Sequence, residues 1–335
     1  MGEVRDPLPS GKMRSSVRGN RCGTVVIVGR PNVGKSTLLN RLVGQKLAIT
    51  SHKAQTTRHS ILGVKTTDQG QILFVDTPGM HERGGSALNR YLNRTARAAV
   101  ADVDLILLLV EALVFTREDE LALRVVAEAA AQAQNQIETQ AQTPSGTGSK
   151  TGPQVIAVVN KVDRVRDKTA LLPYLQQLSE RYDFDTLVPV SAKSGDQVDA
   201  LEQAILTRLP KGENLFPADQ LTDRSERFFA AELLREQLTR RYAQELPYRT
   251  TVEIERFEDQ SGRYLIHALI WVERPSQKGI IIGHRGEALK AAAIQARQEM
   301  QRLFDCPVHL EVWVKVKDSW SSDEAALASL GYTDG

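Results

Sequence analysis

The stretch TVVIVGRPNVGKSTLL, residues 24–39, decides the fold. Residues 25–28 are four β-branched apolar residues in a row, the composition of a strand buried on both faces. Residues 29–36 fit G-x-x-x-x-G-K-[ST], and an amphipathic helix begins at Ser36. The chemistry needs those residue types at that spacing. Gly29 and Gly34 let consecutive backbone N–H groups curl around phosphate oxygens, with Asn32, Val33 and Thr37 completing the cradle. Lys35 reaches the β- and γ-phosphates, and the Ser36 hydroxyl ligates Mg²⁺. A chance Gly-rich turn would not need a strand before it and a helix after it.

Working outward, apolar runs recur at 72–75, 105–110, 155–159 and 187–190, with helical periodicity in most of the gaps. A further strand fits 61–66. This alternation predicts an α/β domain around a mostly parallel, buried sheet. Loops at the C-terminal ends of such strands are where open sheets bind ligands, and three of them carry motifs. Asp76-Thr77-Pro78-Gly79 follows one strand. Asp76 can hold Mg²⁺ through water, and Gly79 can present its N–H to a γ-phosphate. Asn160-Lys161-Val162-Asp163 follows another, and Asp163 could accept from guanine N1–H and its 2-amino group. Adenine has no such donor pair and would leave the carboxylate unpaired. Ser191-Ala192-Lys193 would close over the base. Each motif is weak alone; in this order they predict a GTPase.

The polar stretch 51–58 contains Thr56 and Thr57, and pattern favours Thr57 as the residue that completes the Mg²⁺ shell only with a γ-phosphate present. An ordinary polar loop is the plainer reading. Lys35, Thr57 and Gly79 are the candidate catalytic residues, with Ser36, Thr57 and Asp76 as the metal set. Met80 stands where many small GTPases have a water-orienting Gln, so hydrolysis should be slow without another device. Asn32 could supply one by helping to hold K⁺ against the phosphates. It could equally be a turn residue stabilising its own loop.

The chain has 335 residues, 41% hydrophobic and 25% charged, which excludes wholesale disorder and favours two domains over one. The longest apolar run, 105–110, stops at Glu111, far short of the ~20 residues that span a bilayer. No apolar h-region opens the chain, which argues against secretion. Cys22 and Cys306 match no metal or redox spacing and read as incidental thiols of a reduced cytoplasmic protein. The net charge of +2 divides unevenly, with the basic excess before residue 212 and an acidic balance after it. RNA binding in the second part would therefore need a local patch.

By composition, 1–22 is a flexible tail, 23–211 the first domain, 128–152 a low-complexity insertion in it, and 212–222 a linker. A second, α+β domain covers 223–320, leaving 321–335 as a C-terminal tail. Its first helix should run 223–242 with Asp223 as N-cap and Glu226 as capping-box partner. Strands follow at 250–257 and 263–272 with a turn at 259–262. Next come a short helix ending at 280–282, a second helix to Phe304, and a last strand at 308–316. Between the two helices lies Gly283-His284-Arg285-Gly286. Two glycines so spaced let backbone approach a sugar-phosphate chain, with Lys278, His284, Arg285 and Lys290 supplying charge or donors. A helix cap followed by a helix start is the competing reading. In the last strand Trp313, Lys315 and Lys317 share one face, with Trp320 beyond, and could stack on and neutralise RNA, or could simply be a solvated face.

Taken together, GRPNVGKSTLLNRLVGQKLAIT, KAQTTRH, VDTPGMH, NKVD, VSAKSG, ELPYRTTVEIERF, GIIIGHRGEALK and PVHLEVWVKVK resemble the Era family of bacterial-type ribosome-assembly GTPases. The likeness runs from about residue 23 to Gly331. It implies a Ras-like P-loop GTPase domain followed by a type II KH domain, with GTP or GDP and Mg²⁺ as ligands; K⁺ rests on Asn32 alone. It further implies binding of the 3′ end region of small-subunit ribosomal RNA and help in maturing the 30S subunit. The expectation that goes with it is a monomeric, cytoplasmic chain with peripheral association to the inner membrane. The tail before Cys22 and the 128–152 insertion depart from the family pattern without touching a motif. Two other readings compete: a nucleotide-gated RNA chaperone whose hydrolysis only resets it, and a membrane-associated GTPase with an unrelated RNA target.

Overall fold

The computed structural model describes residues 20–53, 55–80, 86–141, 152–242 and 246–332. The first domain alternates β1 (Arg21–Val28), α1 (Lys35–Val43), β2 (Ile61–Thr67), β3 (Gly70–Asp76), α2 (Ala87–Ala98) and β4 (Leu105–Glu111). It continues with α3 (Arg117–Ala141), β5 (Gln154–Asn160), α4 (Leu171–Ser179), β6 (Thr186–Pro189) and α5 (Val198–Leu206). The six strands are ordered β2-β3-β1-β4-β5-β6, and only β2 runs antiparallel to its neighbour. Helices cover both faces, which is why the central strands need no polar alternation. Val25, Ile27, Leu107 and Ile156 face α1 and α5, while Val26, Val28, Leu108 and Ala157 face α2, α3 and α4.

The second domain comprises α6 (Glu226–Arg241), β7 (Thr250–Asp259), β8 (Tyr264–Val272), α7 (Pro275–Ile282), α8 (Glu287–Phe304) and β9 (Val308–Val316). A final helix, α9 (Glu324–Ser329), follows. Its three-stranded sheet is ordered β7-β8-β9, with β8 antiparallel to β7 and parallel to β9. Leu233, Leu238, Ala296 and Met300 from the helices pack on Ile254, Ile266, Ile270 and Val314 from the sheet.

Several expectations need correction. The tail boundary at 22 falls inside β1: Cys22 is buried and its N–H donates to Pro210 O at 3.0 Å. The apolar run starts later than the hydrogen bonding, so composition hid the first turns of pairing. Residues 1–19 lie outside the described residues, as do 142–151 of the insertion, which the backbone of α3 enters up to Ala141. The N-cap of α6 is Ser225, whose hydroxyl accepts from Phe228 N–H at 3.3 Å, and Asp223 lies before the helix. Two residues able to cap stand two positions apart, and only the approach of the chain chooses between them.

The linker is a strap bound along the first domain. Gln71, fully buried, accepts from Leu215 N–H at 2.8 Å and Phe216 N–H at 2.9 Å and donates to Phe216 O at 2.8 Å. Val64 N–H donates to Leu221 O at 2.8 Å, so the strap also covers the edge strand β2. The C-terminal segment, expected as a tail, is folded through Tyr332. Trp320, Leu327 and Tyr332 are buried against Leu88, Tyr91 and Leu92 of α2. This also removes Trp320 from any RNA surface, since it is fully buried.

Candidate nucleotide site and its link to the second domain

The ends of β1, β3 and β5 and the loop after β6 surround a cavity of about 710 Å³. Asn32, Gly34, Lys35, Ser36 and Thr37 line it from the phosphate loop, with Thr57 and Gly79 opposite in sequence terms from the next two loops. Asn160, Lys161, Asp163, Ala192 and Lys193 line it from the two base loops. Gly29, Val33, Asp76 and Ser191 stand behind this lining, each tied to it. Gly29 and Arg30 carbonyls both accept from Lys35 Nζ at 2.9 Å. Val33 O accepts from Asn160 Nδ2 at 2.8 Å, and Asn160 Oδ1 accepts from Ala192 N–H at 3.0 Å. Asn160 thus pins the phosphate loop to the loop of Ser191. Ser191 Oγ donates to Asp163 Oδ1 at 2.7 Å, orienting that carboxylate.

Gly34 has φ 107°, and a Cβ there would lie 2.3 Å from Asn160 Nδ2, so glycine is required both by conformation and by space. Asn32 also has a positive φ, 61°, and is exposed at the rim. Met80 does not reach for water at all: it is buried in the core on the α2 side of the sheet.

The expected metal set converges. Ser36 Oγ lies 2.6 Å from Asp76 Oδ2 and 2.7 Å from Thr57 Oγ1. Asp76 Oδ1 is buried with no hydrogen-bond partner among the described residues, and burial pushes its carboxyl up to about 6, against the pull of Ser36 and Lys35. A buried, underpartnered carboxylate beside two hydroxyls is a hard-oxygen donor set suited to Mg²⁺. Burial likewise brings Lys35 down to about 8.

Sequence reasoning missed two groups of residues. Arg30 and Glu111 line the cavity but belong to no motif beyond the x positions of the phosphate loop and the end of an apolar run. Thr239 and Arg240 line it from α6, in the other domain. Nothing local could have announced that contact. α6 grips residues 46–60 along much of their length. Glu236 accepts from Lys46 Nζ at 2.6 Å and Thr50 N–H at 2.8 Å. Lys53 donates to the carbonyls of Thr239 and Tyr242 at the end of α6, and Arg235 donates to Thr56 O. Arg58, fully buried, donates to Pro247 O at 2.9 Å, Thr250 O at 3.0 Å and Tyr332 Oη at 3.1 Å.

In the second domain, Gly283 (φ 73°) and Gly286 (φ 81°) flank exposed His284 and Arg285, between Lys278 on α7 and exposed Lys290 on α8. Lys315 and Lys317 do not join them. Both lie against Trp271, their Nζ atoms 5.9 and 5.8 Å from its ring centroid, on the sheet face away from α6 and α8. There Lys315 pairs with Glu255 and Lys317 donates to Ser329.

A strand–phosphate loop–helix core with guanine-type base loops, followed by a helix-flanked G-x-x-G turn on a three-stranded sheet, defines a P-loop GTPase with an appended KH domain. The family models agree: "50S ribosome-binding GTPase" matches residues 24–161 and "KH domain" residues 245–321. GTPase Era of Pseudomonas fluorescens (strain Pf0-1) is 49% identical over 320 residues, covering 96% of this chain and 99% of that protein. GTPase Era of Azotobacter vinelandii is 52% identical over 314 residues, covering 94% and 97%. A single-substitution variant of Aquifex aeolicus Era bound to GDP·AlF4⁻ superposes with a TM-score of 0.84 at 34% identity, covering 94% of this chain and all of that one. Era in complex with MgGDPNP and nucleotides 1506–1542 of 16S ribosomal RNA superposes with a TM-score of 0.83, also at 34% identity, with the same coverage of 94% and 100%. The chain belongs to the Era GTPase family.

Proposed function

We propose that this protein hydrolyses GTP to GDP and phosphate, and that its GTP-bound form holds the 3′ end region of small-subunit ribosomal RNA and assists maturation of the 30S subunit. The relative solved with MgGDPNP and 16S ribosomal RNA supports both ligands. Lys35 would bind the β- and γ-phosphates, and Gly79 would offer its N–H to the γ-phosphate. Asp163 would read the guanine edge. Ser36, Thr57 and Asp76 would hold Mg²⁺, which neutralises charge on the β- and γ-oxygens when bound. Asn32, exposed at the rim, would help hold K⁺ there, and equal turnover in K⁺ and Na⁺ would retire that part.

The observation that carries the reading is the double grip on one segment. Thr57 reaches the metal set through Ser36, while the carbonyl of its neighbour Thr56 accepts from Arg235 on α6. A segment that responds to the γ-phosphate is therefore in contact with the first helix of the RNA-binding domain. Two arrangements of that segment would present two RNA affinities. On the RNA side, Gly283 to Gly286 with Lys278 and Lys290 would take the sugar-phosphate chain, and Lys315 and Lys317 would make at most a separate contact on the outer sheet face. The first domain, from β1 onward, and the second, through β9, would be the two functional units, with the C-terminal segment bridging them.

Crosslinking of 16S 3′-end RNA to the full chain, with a non-hydrolysable GTP analogue against GDP, tests the coupling. The expected result is a higher yield with the analogue; equal yields would end it. A monomeric, cytoplasmic chain with peripheral contact to the inner membrane belongs to the same proposal. Co-sedimentation with vesicles containing anionic lipid tests the membrane contact, and the mass in solution tests the monomeric state.

A further inference from the structure

β4 lies between β1, which leads into the phosphate loop, and β5, which leads into the base loop. Its last residue is Glu111. Glu111 Oε2 accepts from Arg30 Nη2 of the phosphate loop at 2.7 Å and from Lys161 Nζ of the base loop at 2.8 Å. On its other side Arg30 donates through Nε to Asp119 Oδ2 at 3.0 Å. Asp119 is fully buried and is itself fixed by Thr116, whose N–H and hydroxyl donate to it at 2.8 and 2.9 Å at the start of α3. Arg30, Glu111 and Lys161 all line the cavity, and their side chains are 14%, 20% and 19% exposed.

A lysine side chain has four rotatable bonds, and an unanchored ammonium beside a polyphosphate site has many places to go. Here its end is tied down by Glu111 at 2.8 Å. The backbone of Lys161 is left-handed (φ 67°, ψ 32°), which L-residues adopt only where surrounding contacts hold them. We propose that Glu111 is a positioning residue for guanine-nucleotide binding: it ties Lys161 to Arg30, so that the base loop and the phosphate loop form one preorganised site, with Asp119 bracing Arg30 from behind. Preorganisation of this kind raises affinity by removing the ordering cost from the binding step.

The proposal rests on the guanine-nucleotide reading of the cavity, and positioning is separable from a plain field effect by sign. A carboxylate next to a polyphosphate site opposes its charge. If field were its main role, removing it would tighten phosphate binding; if positioning is, binding weakens. The experiment titrates the full chain with fluorescent GDP and with a fluorescent non-hydrolysable GTP analogue, and measures turnover. Glu111→Gln should weaken both ligands by about 10-fold and raise KM alike, with kcat at saturation within about twofold. In a Lys161→Met background the same substitution should add little, because the group it positions is gone. Unchanged or tighter binding, or an additive double-mutant cycle, would overturn the proposal. Should Glu111→Gln fail to fold, Arg30→Met cuts the same tie from the other end, and its cycle with Lys161→Met decides in the same way. Wild-type protein that binds an ATP analogue as tightly as the GTP analogue would instead overturn the guanine reading itself.

Discussion

Asp76 is a carboxyl kept underpartnered in the core, and its titration follows from that. Burial raises its folded-state value to about 6, from an ordinary value of 3.8. Between those pH values the folded chain holds a proton that the unfolded chain releases, so burial of the charged form costs stability above about pH 6, and the cost is relieved on acidification. A bound divalent cation needs the charged form. The rise in melting temperature produced by Mg²⁺ in the presence of GDP should therefore shrink as pH falls from 7 to 5; a constant rise would take Asp76 out of the metal set. Asp163 is held by Ser191 with one oxygen engaged, leaving the carboxylate aimed into the cavity. Asp163→Asn exchanges an acceptor for a donor and should shift preference from GTP toward xanthosine triphosphate, read by competition binding. Both residues were legible in the sequence because each follows a buried strand in a short, ordered motif. Glu111 was not, because a single charge ending an apolar run is what any strand end looks like.

At the scale of elements, the two glycines of the G-x-x-G turn are not equivalent. A Cβ on Gly283 would lie 2.6 Å from Ala288 Cβ, whereas one on Gly286 would meet nothing within 4 Å among the described residues. Gly286→Asp is consequently the cleaner probe of RNA contact, although its φ of 81° still disfavours other residues. It should cost ~1–3 kcal/mol of RNA affinity at fixed salt by filter binding or fluorescence titration, and unchanged affinity would count against the turn as the RNA site. The helix α6 is a second case. The sequence predicts a helix at 223–242 from its capping signal, and the helix is there at Glu226–Arg241, but its role in gripping residues 46–60 is invisible in that signal. Lys53→Met removes the donor to the carbonyls at the end of α6 and should narrow the gap in RNA affinity between the GTP- and GDP-bound states. A gap as wide as in the wild type would separate the grip from the switch.

For the whole molecule, the junction of the two domains is built around Arg58, His59 and Tyr332. His59 stacks on Tyr332 at 4.8 Å between ring centroids, and burial brings its imidazole down to about 4. The unfolded chain takes up that proton near 6.5, so the folded state loses stability as pH falls from about 6.5 towards 4. His59→Phe should flatten the dependence of melting temperature on pH over that window while keeping the ring stack; an unchanged slope would place the acid sensitivity elsewhere. Tyr332→Phe removes a hydroxyl that Arg58 and Thr251 share, at 3.1 and 2.9 Å, and should cost about 1 kcal/mol in denaturant unfolding. The C-terminal segment thus behaves as part of the junction, linking α2 to the flank of residues 46–60.

Local pattern alone determined the α/β first domain, the order of its nucleotide motifs, the helix–turn–helix around Gly283 and Gly286, and the last strand at 308–316. Each of these depends on neighbours within a few residues: strand runs, glycine positions, and the spacing of a loop that follows a strand. Tertiary structure alone decided that residues 212–222 are a bound strap, that 320–332 pack on α2, that Lys315 and Lys317 face away from the G-x-x-G turn, and that Glu111 joins two loops. Those facts depend on pairs far apart in the chain, such as Glu111 with Arg30, Gln71 with Phe216 and Arg58 with Tyr332. A polar side chain carries no local mark of the distant partner that folding brings to it, and only the folded arrangement of the whole chain supplies one.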